Sequence, residues 1–241
     1  MPSDDFMERA DDEREMTAIA DDIDDLDDDR DLDDHRADEE DSDTVTFASL
    51  GLPEEILAAV TDMGFRVPTP IQAAAIPPLL ELRDVVGIAQ TGTGKTAAFG
   101  LPLLAIVDAD ERDVQALVLA PTRELAMQSA QAIEDFAART ARLDVVPVYG
   151  GSPYGPQIGA LKRGAQVVVG TPGRVIDLIE KGALDLSNVR MLVLDEADEM
   201  LRMGFAEDVE TIASSAPDDR LTALFSATMP AAIEKVAREH L

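Results

Sequence analysis

The sequence contains no cysteine and no tryptophan, and its 241 residues include only two histidines and four lysines. Without cysteine, the chain has no disulfide, no thiolate zinc or iron–sulfur site and no thiol nucleophile. The two histidines, His35 and His240, stand far apart in the sequence, which argues against a histidine-based metal site. No apolar run approaches the roughly 20 residues of a membrane span, and the first residues do not resemble a signal peptide. We therefore expect a cytoplasmic protein with no membrane segment.

Positive charge is also scarce, and the formal net charge is −29. Residues 1–46 carry 22 acidic side chains and only 4 arginines, whereas residues 47–241 carry 27 acidic and 16 basic side chains. A segment with so many like charges, as in residues 1–46, cannot bury enough apolar surface to offset the loss of chain entropy on folding. The composition predicts a disordered acidic tail over residues 1–46 and a globular domain over residues 47–241.

Two other interpretations of the tail remain open at this point. Met16, Ile19, Ile23 and Leu26 are spaced like one face of a helix, although aspartate is a poor helix former. The tail could also imitate a polyanion and compete with nucleic acid for the globular part. The acidic net charge disfavours indiscriminate nucleic-acid binding, so any such contact requires a local site.

Short apolar runs alternate with amphipathic stretches after residue 47, which predicts an α/β fold with a mostly parallel central sheet flanked by helices. The predicted strands are Asp84–Ala89, Gln115–Ala120, Val145–Tyr149, Gln166–Gly170, Arg190–Leu194 and Leu221–Phe225. The predicted helices are Lys95–Val107, Arg123–Thr140, Pro156–Lys162, Arg174–Glu180, Glu207–Ala213 and Ala231–His240. Ligands of such sheets bind at the carboxyl ends of the strands.

A glycine-rich segment follows the first predicted strand. Read from Ala89, it fits the phosphate-binding pattern G-x-x-x-x-G-K-[ST] except for alanine at the first position. Glycines in this pattern let successive backbone N–H groups point at phosphate oxygens, while its lysine reaches the β- and γ-phosphates and its hydroxyl binds Mg²⁺. The segment consists of Ala89, Gln90, Thr91, Gly92, Thr93, Gly94, Lys95 and Thr96.

An acidic segment, Asp195-Glu196-Ala197-Asp198, follows the apolar run Met191–Leu194. An aspartate at the end of a buried strand can hold Mg²⁺, directly or through water. The adjacent Glu196 can orient and deprotonate an attacking water. An acidic helix start, favoured by the helix dipole, is the alternative for these residues alone. Because the chain also has a phosphate-binding segment, we favour the two halves of an NTPase site.

These segments belong to a larger set that resembles the DEAD-box ATP-dependent RNA helicases over nearly all of residues 47–241, most closely the bacterial cold-shock and ribosome-assembly type. In that family AQTGTGKT is the usual form of the phosphate-binding motif, which accounts for the alanine. The other matching elements, in chain order, are Phe47 with Gly64–Gln72 (the Q motif, within residues 47–75), Pro121–Ala126, Gly150–Gly151, Thr171–Arg174, Asp195–Asp198 and Ser226–Thr228.

The resemblance implies an adenine site and sequence-independent RNA contacts. Gln72 offers one amide donor pair and one acceptor to the N6/N7 edge of adenine, which implies ATP over GTP. Phe47 would stack on the base, or else pack in the core. The implied RNA contacts, mostly backbone amides and guanidinium groups that suit phosphates, are Pro121, Thr122, Arg123, Gly150, Gly151, Thr171, Pro172, Gly173 and Arg174. For the glycine pair, an ordinary turn is the alternative.

The family also implies a coupling group and a mechanism. Ser226 and Thr228 would hydrogen-bond to Asp198 and link nucleotide state to RNA binding, unless they are only satisfied hydroxyls at a strand end. Lys95, Asp195 and Glu196 would be catalytic, and Thr96 and Asp195 would hold Mg²⁺ beside ATP.

The resemblance further implies a RecA-like P-loop domain of three layers. The second RecA-like domain, whose arginines reach the γ-phosphate, is not in this sequence, so we expect the 241-residue chain to be nearly inactive alone. Expected partners are RNA, the C-terminal RecA-like domain of the same protein and, further, ribosomal precursors or RNA-decay machinery. An ATP-responsive RNA clamp without unwinding is an alternative function, and a DNA-directed motor is disfavoured by Phe47 and Gln72.

Overall fold

The computed structural model describes residues 45–138 and 143–241, together with the backbone of residues 17–20. Its strands form one parallel sheet in the order β1-β2-β7-β6-β3-β5-β4. The strands are β1 (Thr17–Ala20), β2 (Val85–Ile88), β3 (Ala116–Leu119), β4 (Val145–Val148), β5 (Val167–Gly170), β6 (Met191–Leu194) and β7 (Leu221–Ser226). The prediction of a parallel sheet is confirmed, because every pairing between neighbouring strands is parallel.

The helices lie on both faces of the sheet. They are α1 (Glu54–Asp62), α2 (Pro70–Leu80), α3 (Lys95–Ile106), α4 (Arg123–Ala137), α5 (Tyr154–Lys162), α6 (Pro172–Glu180), α7 (Ala197–Arg202), α8 (Ala206–Ala213) and α9 (Ala231–His240), and a short 3₁₀ helix covers Phe47–Leu50. Within this described part of the chain, no helix combines the length and the hydropathy that a membrane crossing requires.

Alternation along the strands divides the core into two layers. In β5, for example, Val167 and Val169 pack with the helices α1 to α4, whereas Val168 packs with the helices α5 to α9. Successive side chains of a strand point to opposite faces, so a strand covered on both sides is apolar at every position. This burial on both faces explains the continuous apolar runs in the sequence.

The structure differs from the sequence-based prediction at several element ends. Helices α1 and α2 were not predicted, whereas α7 matches the acidic helix start that was the alternative for Asp195–Asp198. Strand β7 extends one residue further than predicted, so that Ser226 is its last residue. Helix α2 contains Pro77 and Pro78, which normally argue against a helix. It begins with Thr69 as N-cap and Pro70 in its first turn, both favourable at a helix start.

The acidic tail falls mostly outside the described residues, including the proposed helix face at Met16, Ile23 and Leu26. At Thr17–Ala20 the backbone forms a strand that pairs with Val85–Ile88 at the edge of the sheet. A strand at these four residues differs from the expectation of disorder over the whole of residues 1–46.

Candidate functional site

The predicted site residues gather at the carboxyl edge of the sheet, because all the strands are parallel. Strands β2, β7 and β6 are neighbours and lead into the phosphate-binding segment, Ser226–Thr228 and Asp195–Asp198. Strands β3, β5 and β4 form the other half and lead into Pro121–Arg123, Thr171–Arg174 and Gly150–Gly151. The sheet therefore separates the predicted nucleotide residues from the predicted RNA residues along one edge.

The phosphate-binding segment forms a curled turn between β2 and α3. Gly92 and Gly94 have φ angles of 88° and 91°, in the left-handed region that favours glycine. Gly94 is the N-cap of α3, so the positive end of that helix follows the turn directly. Lys95 and Thr96 occupy the first turn of the helix, where a bound phosphate would meet backbone N–H groups.

An ion pair joins the phosphate-binding segment to the acidic segment. The Nζ of Lys95 lies 2.9 Å from Oε1 of Glu196, and both residues are buried. The Thr91 hydroxyl donates to the same oxygen at 2.9 Å. Glu196 has a φ of 51°, a left-handed conformation that is uncommon for a residue with a side chain. These two contacts thus hold the Glu196 carboxylate beside the predicted phosphate site, although β7 separates β6 from β2.

Asp195 lies at the end of β6 and is only 5% exposed. The pKa of its carboxyl group is raised from 3.8 to about 6, because burial and the charge of Glu196 outweigh the lowering effects of Lys95 and of a hydrogen bond from the Glu196 backbone N–H. Among the described residues, its Oδ1 atom is buried without a hydrogen-bond partner. A buried carboxylate oxygen without a partner suits a cation, because the charge is otherwise poorly compensated.

Asp198 contacts the end of β7 through Thr228, one of the two hydroxyls that the coupling hypothesis named. The Thr228 hydroxyl donates to Oδ2 of Asp198 at 2.8 Å, and the Ser226 hydroxyl donates to the Thr228 carbonyl at 2.7 Å. Burial raises the pKa of Asp198, but hydrogen bonds from Thr228, Ser226 and backbone N–H groups outweigh it and lower the pKa overall. The hydroxyls therefore stabilise the ionised form of Asp198.

Gln72 contacts the phosphate-binding segment through its side-chain amide. Its Oε1 accepts from the Thr69 backbone N–H at 2.9 Å, and its Nε2 donates to the Gly94 carbonyl at 3.1 Å. The amide that was predicted to read adenine thus also caps α2 and holds the turn before α3. Each amide atom keeps further hydrogen-bonding capacity, a second N–H on Nε2 and a second lone pair on Oε1, which an adenine contact would use.

Phe47 lies in the hydrophobic core, with only 2% of its surface exposed. Its ring packs edge-on against Phe65 at a centroid distance of 5.9 Å, and Phe65 packs in turn against Phe136 at 6.3 Å. The alternative in which Phe47 packs in the core is the arrangement in the structure. A base could stack on this ring only after neighbouring side chains moved.

The predicted RNA residues include an exposed group around the ends of β3 and β4. Arg123 is exposed at the start of α4, and its guanidinium lies 4.7 Å from the centre of the Tyr149 ring. Gly150 and Gly151 are also exposed, and a Cβ at either position would meet nothing within 4 Å. Gly151 has a φ of 74°, so the turn requires glycine for its conformation.

Arg174 differs from Arg123, the other predicted RNA arginine, because it is only 7% exposed. Its guanidinium donates to the Ser152 carbonyl and to Oε1 of Gln157, both at 3.0 Å, and stacks on the Tyr154 ring at 4.1 Å. The guanidinium that was predicted to bind an RNA phosphate is therefore engaged by partners within the protein. By contrast, Thr171 and Gly173 remain partly or fully exposed at the start of α6.

Gln157 and Tyr154 were not among the predicted site residues. Each lies on α5, where a single glutamine or tyrosine carries no recognisable pattern, and their significance appears only from their contacts with Arg174. A cavity of about 930 Å³ lies at the amino edge of the sheet, between Arg83, Arg190 and Arg220. It is lined by none of the predicted site residues.

The family is decided by comparison with known proteins. Residues 69–236 match the DEAD/DEAH box helicase family. The chain belongs to this family. Proteins described as "ATP-dependent RNA helicase DeaD" are similar over about four fifths of the chain. The protein from Haemophilus influenzae is 56% identical over 200 residues, which are 83% of this chain and 33% of the relative. The protein from Escherichia coli K12 is 57% identical over 197 residues, which are 82% of this chain and 31% of the relative.

Solved structures of family members confirm the RecA-like fold. A DEAD box protein from Methanococcus jannaschii has a TM-score of 0.78 and 45% identity, covering 81% of this chain and 53% of the other. A protein from Sulfolobus tokodaii, described as a hypothetical ATP-dependent RNA helicase, has a TM-score of 0.72 and 42% identity. The match covers 79% of this chain and 55% of the other. The chain spans about a third of the length of the curated DEAD-box relatives.

Proposed function

We propose that this chain is the ATP-binding domain of an ATP-dependent RNA helicase that unwinds short RNA duplexes locally. One observation carries the proposal. The 2.9 Å contact between Lys95 and Glu196 joins the phosphate-binding turn to the acidic end of β6, so both halves of an NTPase site occupy one place. Family membership and the DeaD relatives support RNA as the substrate on which the complete protein acts.

In this proposal, the turn from Gln90 to Thr96 receives the ATP phosphates through backbone N–H groups and Lys95. Lys95 then exchanges its contact with Glu196 for a contact with phosphate. The Glu196 carboxylate, released from Lys95, accepts a proton from the attacking water. Thr96 and Asp195 would hold Mg²⁺, which neutralises charge on the phosphates when bound. The Oδ1 of Asp195, which has no hydrogen-bond partner among the described residues, supports that assignment.

RNA would bind at the other half of the same edge, through Arg123, Gly150–Gly151 and the start of α6 at Thr171–Gly173. These groups offer backbone amides and a guanidinium to phosphates and present no pattern that reads bases, so binding would not depend on sequence. A second RecA-like domain would close over ATP and RNA, and ribosomal precursors or the RNA-decay machinery would be further partners. We also propose a cytoplasmic location.

Matched variants test the nucleotide site in the 241-residue chain. We expect Lys95→Ala to lower ATP affinity at least about tenfold, because phosphate loses its ammonium partner. Glu196→Gln should retain ATP binding and, in a protein of the relatives' full length, stop RNA-stimulated turnover. Lys162→Ala, at the exposed end of α5, is the control for loss of one positive charge. Isothermal titration with ATP and GTP measures affinity, and phosphate release measures turnover.

Three results would contradict parts of this proposal. Equal loss of ATP affinity in both site variants would contradict the separate roles of Lys95 and Glu196. Equal affinity for ATP and GTP would contradict adenine recognition by Gln72. ATP binding and RNA-stimulated turnover without strand separation in the full-length protein would favour the clamp function over unwinding.

A further inference from the structure

A hydrogen-bonded network holds both sides of the exposed Gly150–Gly151 turn. On one side, Nε2 of Gln157 donates to the carbonyl of Tyr149 at 3.2 Å. On the other side, Arg174 donates to the carbonyl of Ser152 at 3.0 Å. The turn itself makes no side-chain contact that could fix it, because neither glycine has a side chain. Its position therefore depends on the residues that hold its two ends.

Gln157 connects these two attachments. Its Oε1 accepts from Arg174 at 3.0 Å, while its Nε2 reaches Tyr149, so one amide links the residue before the turn to the arginine that holds the residue after it. Both Gln157 and Arg174 are more than nine-tenths buried. Hydrogen bonds between buried groups, one of them charged, are stronger and better aligned than exposed ones.

The network extends to the other predicted RNA elements. The guanidinium of Arg123 lies 4.7 Å from the centre of the Tyr149 ring. Arg174 belongs to the first turn of α6, beside Thr171–Gly173. The Tyr154 ring lies under Arg174 at 4.1 Å, and its hydroxyl donates to Asp177 on α6 at 2.6 Å. Elements that follow three different strands are thus joined by side chains, of which Gln157 and Arg174 are buried.

We infer that Gln157 and Arg174 are positioning residues of the RNA site, which hold the Gly150–Gly151 turn in register with Arg123 and the start of α6. The inference rests on the proposed function and deepens it: the exposed backbone binds phosphates, and the buried amide and guanidinium set its geometry. An RNA phosphate spacing can match three separate elements only if their mutual positions are fixed beforehand, because ordering them on binding would cost affinity.

The test replaces Gln157 by methionine, which has a similar volume and neither hydrogen-bonds to Tyr149 nor accepts strongly from Arg174. Gln166→Met is the matched control. Gln166 is also buried, and its amide ties backbone loops at Asp144, Ala109 and Glu111 on the amino edge of the same sheet. Both variants lose comparable hydrogen bonds, but only Gln157→Met alters the predicted RNA edge.

Two measurements on the ¹⁵N-labelled 241-residue chain distinguish positioning from general stability. Without RNA, we expect the order parameters of the Gly150 and Gly151 amides to fall from about 0.85 to below about 0.6 in Gln157→Met. With a single-stranded oligouridylate of about ten nucleotides at low salt, we expect the dissociation constant from chemical-shift titration to rise about tenfold. ATP affinity should be unchanged, and Gln166→Met should change neither quantity.

Each alternative result has a definite meaning. Unchanged order parameters in Gln157→Met would contradict the positioning role, whether or not RNA binds. Reduced order with unchanged RNA affinity would contradict the need for a fixed turn. An equal loss of RNA affinity in Gln166→Met would show a general stability effect and contradict the inference. A wild-type chain with no response to RNA would contradict the RNA contacts proposed for this domain, while the order parameters would still decide whether Gln157 holds the turn.

Discussion

At the residue scale, the buried charges of the site differ in how they are compensated. Lys95 and Glu196 form an ion pair, and Thr91 donates a further hydrogen bond to Glu196. The Oδ1 of Asp195 has no hydrogen-bond partner among the described residues, and the pKa of its carboxyl group is raised to about 6, mainly by burial. The ionised form of Asp195 therefore destabilises the nucleotide-free fold at neutral pH, a cost that the proposed Mg²⁺ binding would offset.

We predict that Asp195→Asn stabilises the nucleotide-free chain at pH 7 while removing its Mg²⁺-dependent ATP affinity. A pKa of about 6 in place of 3.8 corresponds to about 3 kcal/mol of lost stability at neutral pH, so a gain of about 1–3 kcal/mol is expected. Because the folded-state pKa is raised, wild-type stability falls as pH rises from 3.8 to 6. The gain should therefore disappear near pH 4.

Urea denaturation of both proteins between pH 4 and pH 8 measures this difference. The control is Asp113→Asn, since Asp113 is exposed before β3 and far along the chain from the site. A loss of stability at pH 7 in Asp195→Asn, or a gain that does not depend on pH, would show that the carboxylate is better compensated than its surroundings indicate.

At the element scale, the start of α3 depends on α2 as well as on its own sequence. Gln72 caps α2 through Thr69 and donates to the carbonyl of Gly94, the N-cap of α3. The two helices also pack against each other. One glutamine thereby couples the first turn of α2 to the phosphate-binding turn, so a change in either element is transmitted to the other.

We predict that Gly94→Ala is more harmful than Gly92→Ala, although both glycines have nearly the same positive φ. A Cβ at Gly94 would overlap the side-chain amide of Gln72, whereas a Cβ at Gly92 would meet nothing within 4 Å. Both variants should lose about 1 kcal/mol from backbone strain. Gly94→Ala should lose about 1 kcal/mol more, because Gln72 must release its hydrogen bond.

Chemical denaturation and ATP titration of the two variants provide the comparison, with each glycine serving as the control for the other. Equal losses of stability and of ATP affinity would mean that the contact between Gln72 and Gly94 contributes little beyond the strain common to both positions.

At the scale of the whole molecule, the acidic side chains are concentrated near one end of the sequence. The segment 21–44 contains 15 acidic side chains and 2 arginines. The chain before it ends in β1, which pairs in parallel with β2, so Ala20 lies beside Ile88 at the carboxyl edge. The acidic segment therefore follows a residue that lies at the edge where the predicted nucleotide and RNA residues gather.

We predict that replacing the 15 acids of residues 21–44 by asparagine and glutamine strengthens RNA binding at low salt, roughly tenfold, because a competing polyanion is neutralised. The substitutions leave Thr17–Ala20 and its pairing in place. At about 1 M salt, where the screening length is about 3 Å, the two proteins should bind RNA equally. Fluorescence anisotropy of labelled RNA across salt concentrations measures the effect, and identical low-salt affinities would exclude competition by the tail.

The sequence alone identified the parallel sheet and the order of the motifs. Continuous apolar runs indicate strands buried on both faces, and parallel strands place every following segment at one edge, so the phosphate-binding segment and the acidic segment Asp195–Asp198 were expected to form one site. Helix α2 was missed because Pro77 and Pro78 argue against a helix, whereas its favourable cap and its packing against α3 outweigh them.

Tertiary structure alone decided which polar groups bind one another. The type of a residue states what it can donate or accept, but its partner depends on which distant segments the fold brings within about 3 Å. Arg174 could equally have faced an RNA phosphate, yet it is buried between Ser152, Gln157 and Tyr154. Phe47 could have stacked on a base, yet it packs against Phe65, because the burial of an aromatic ring is decided by the elements around it.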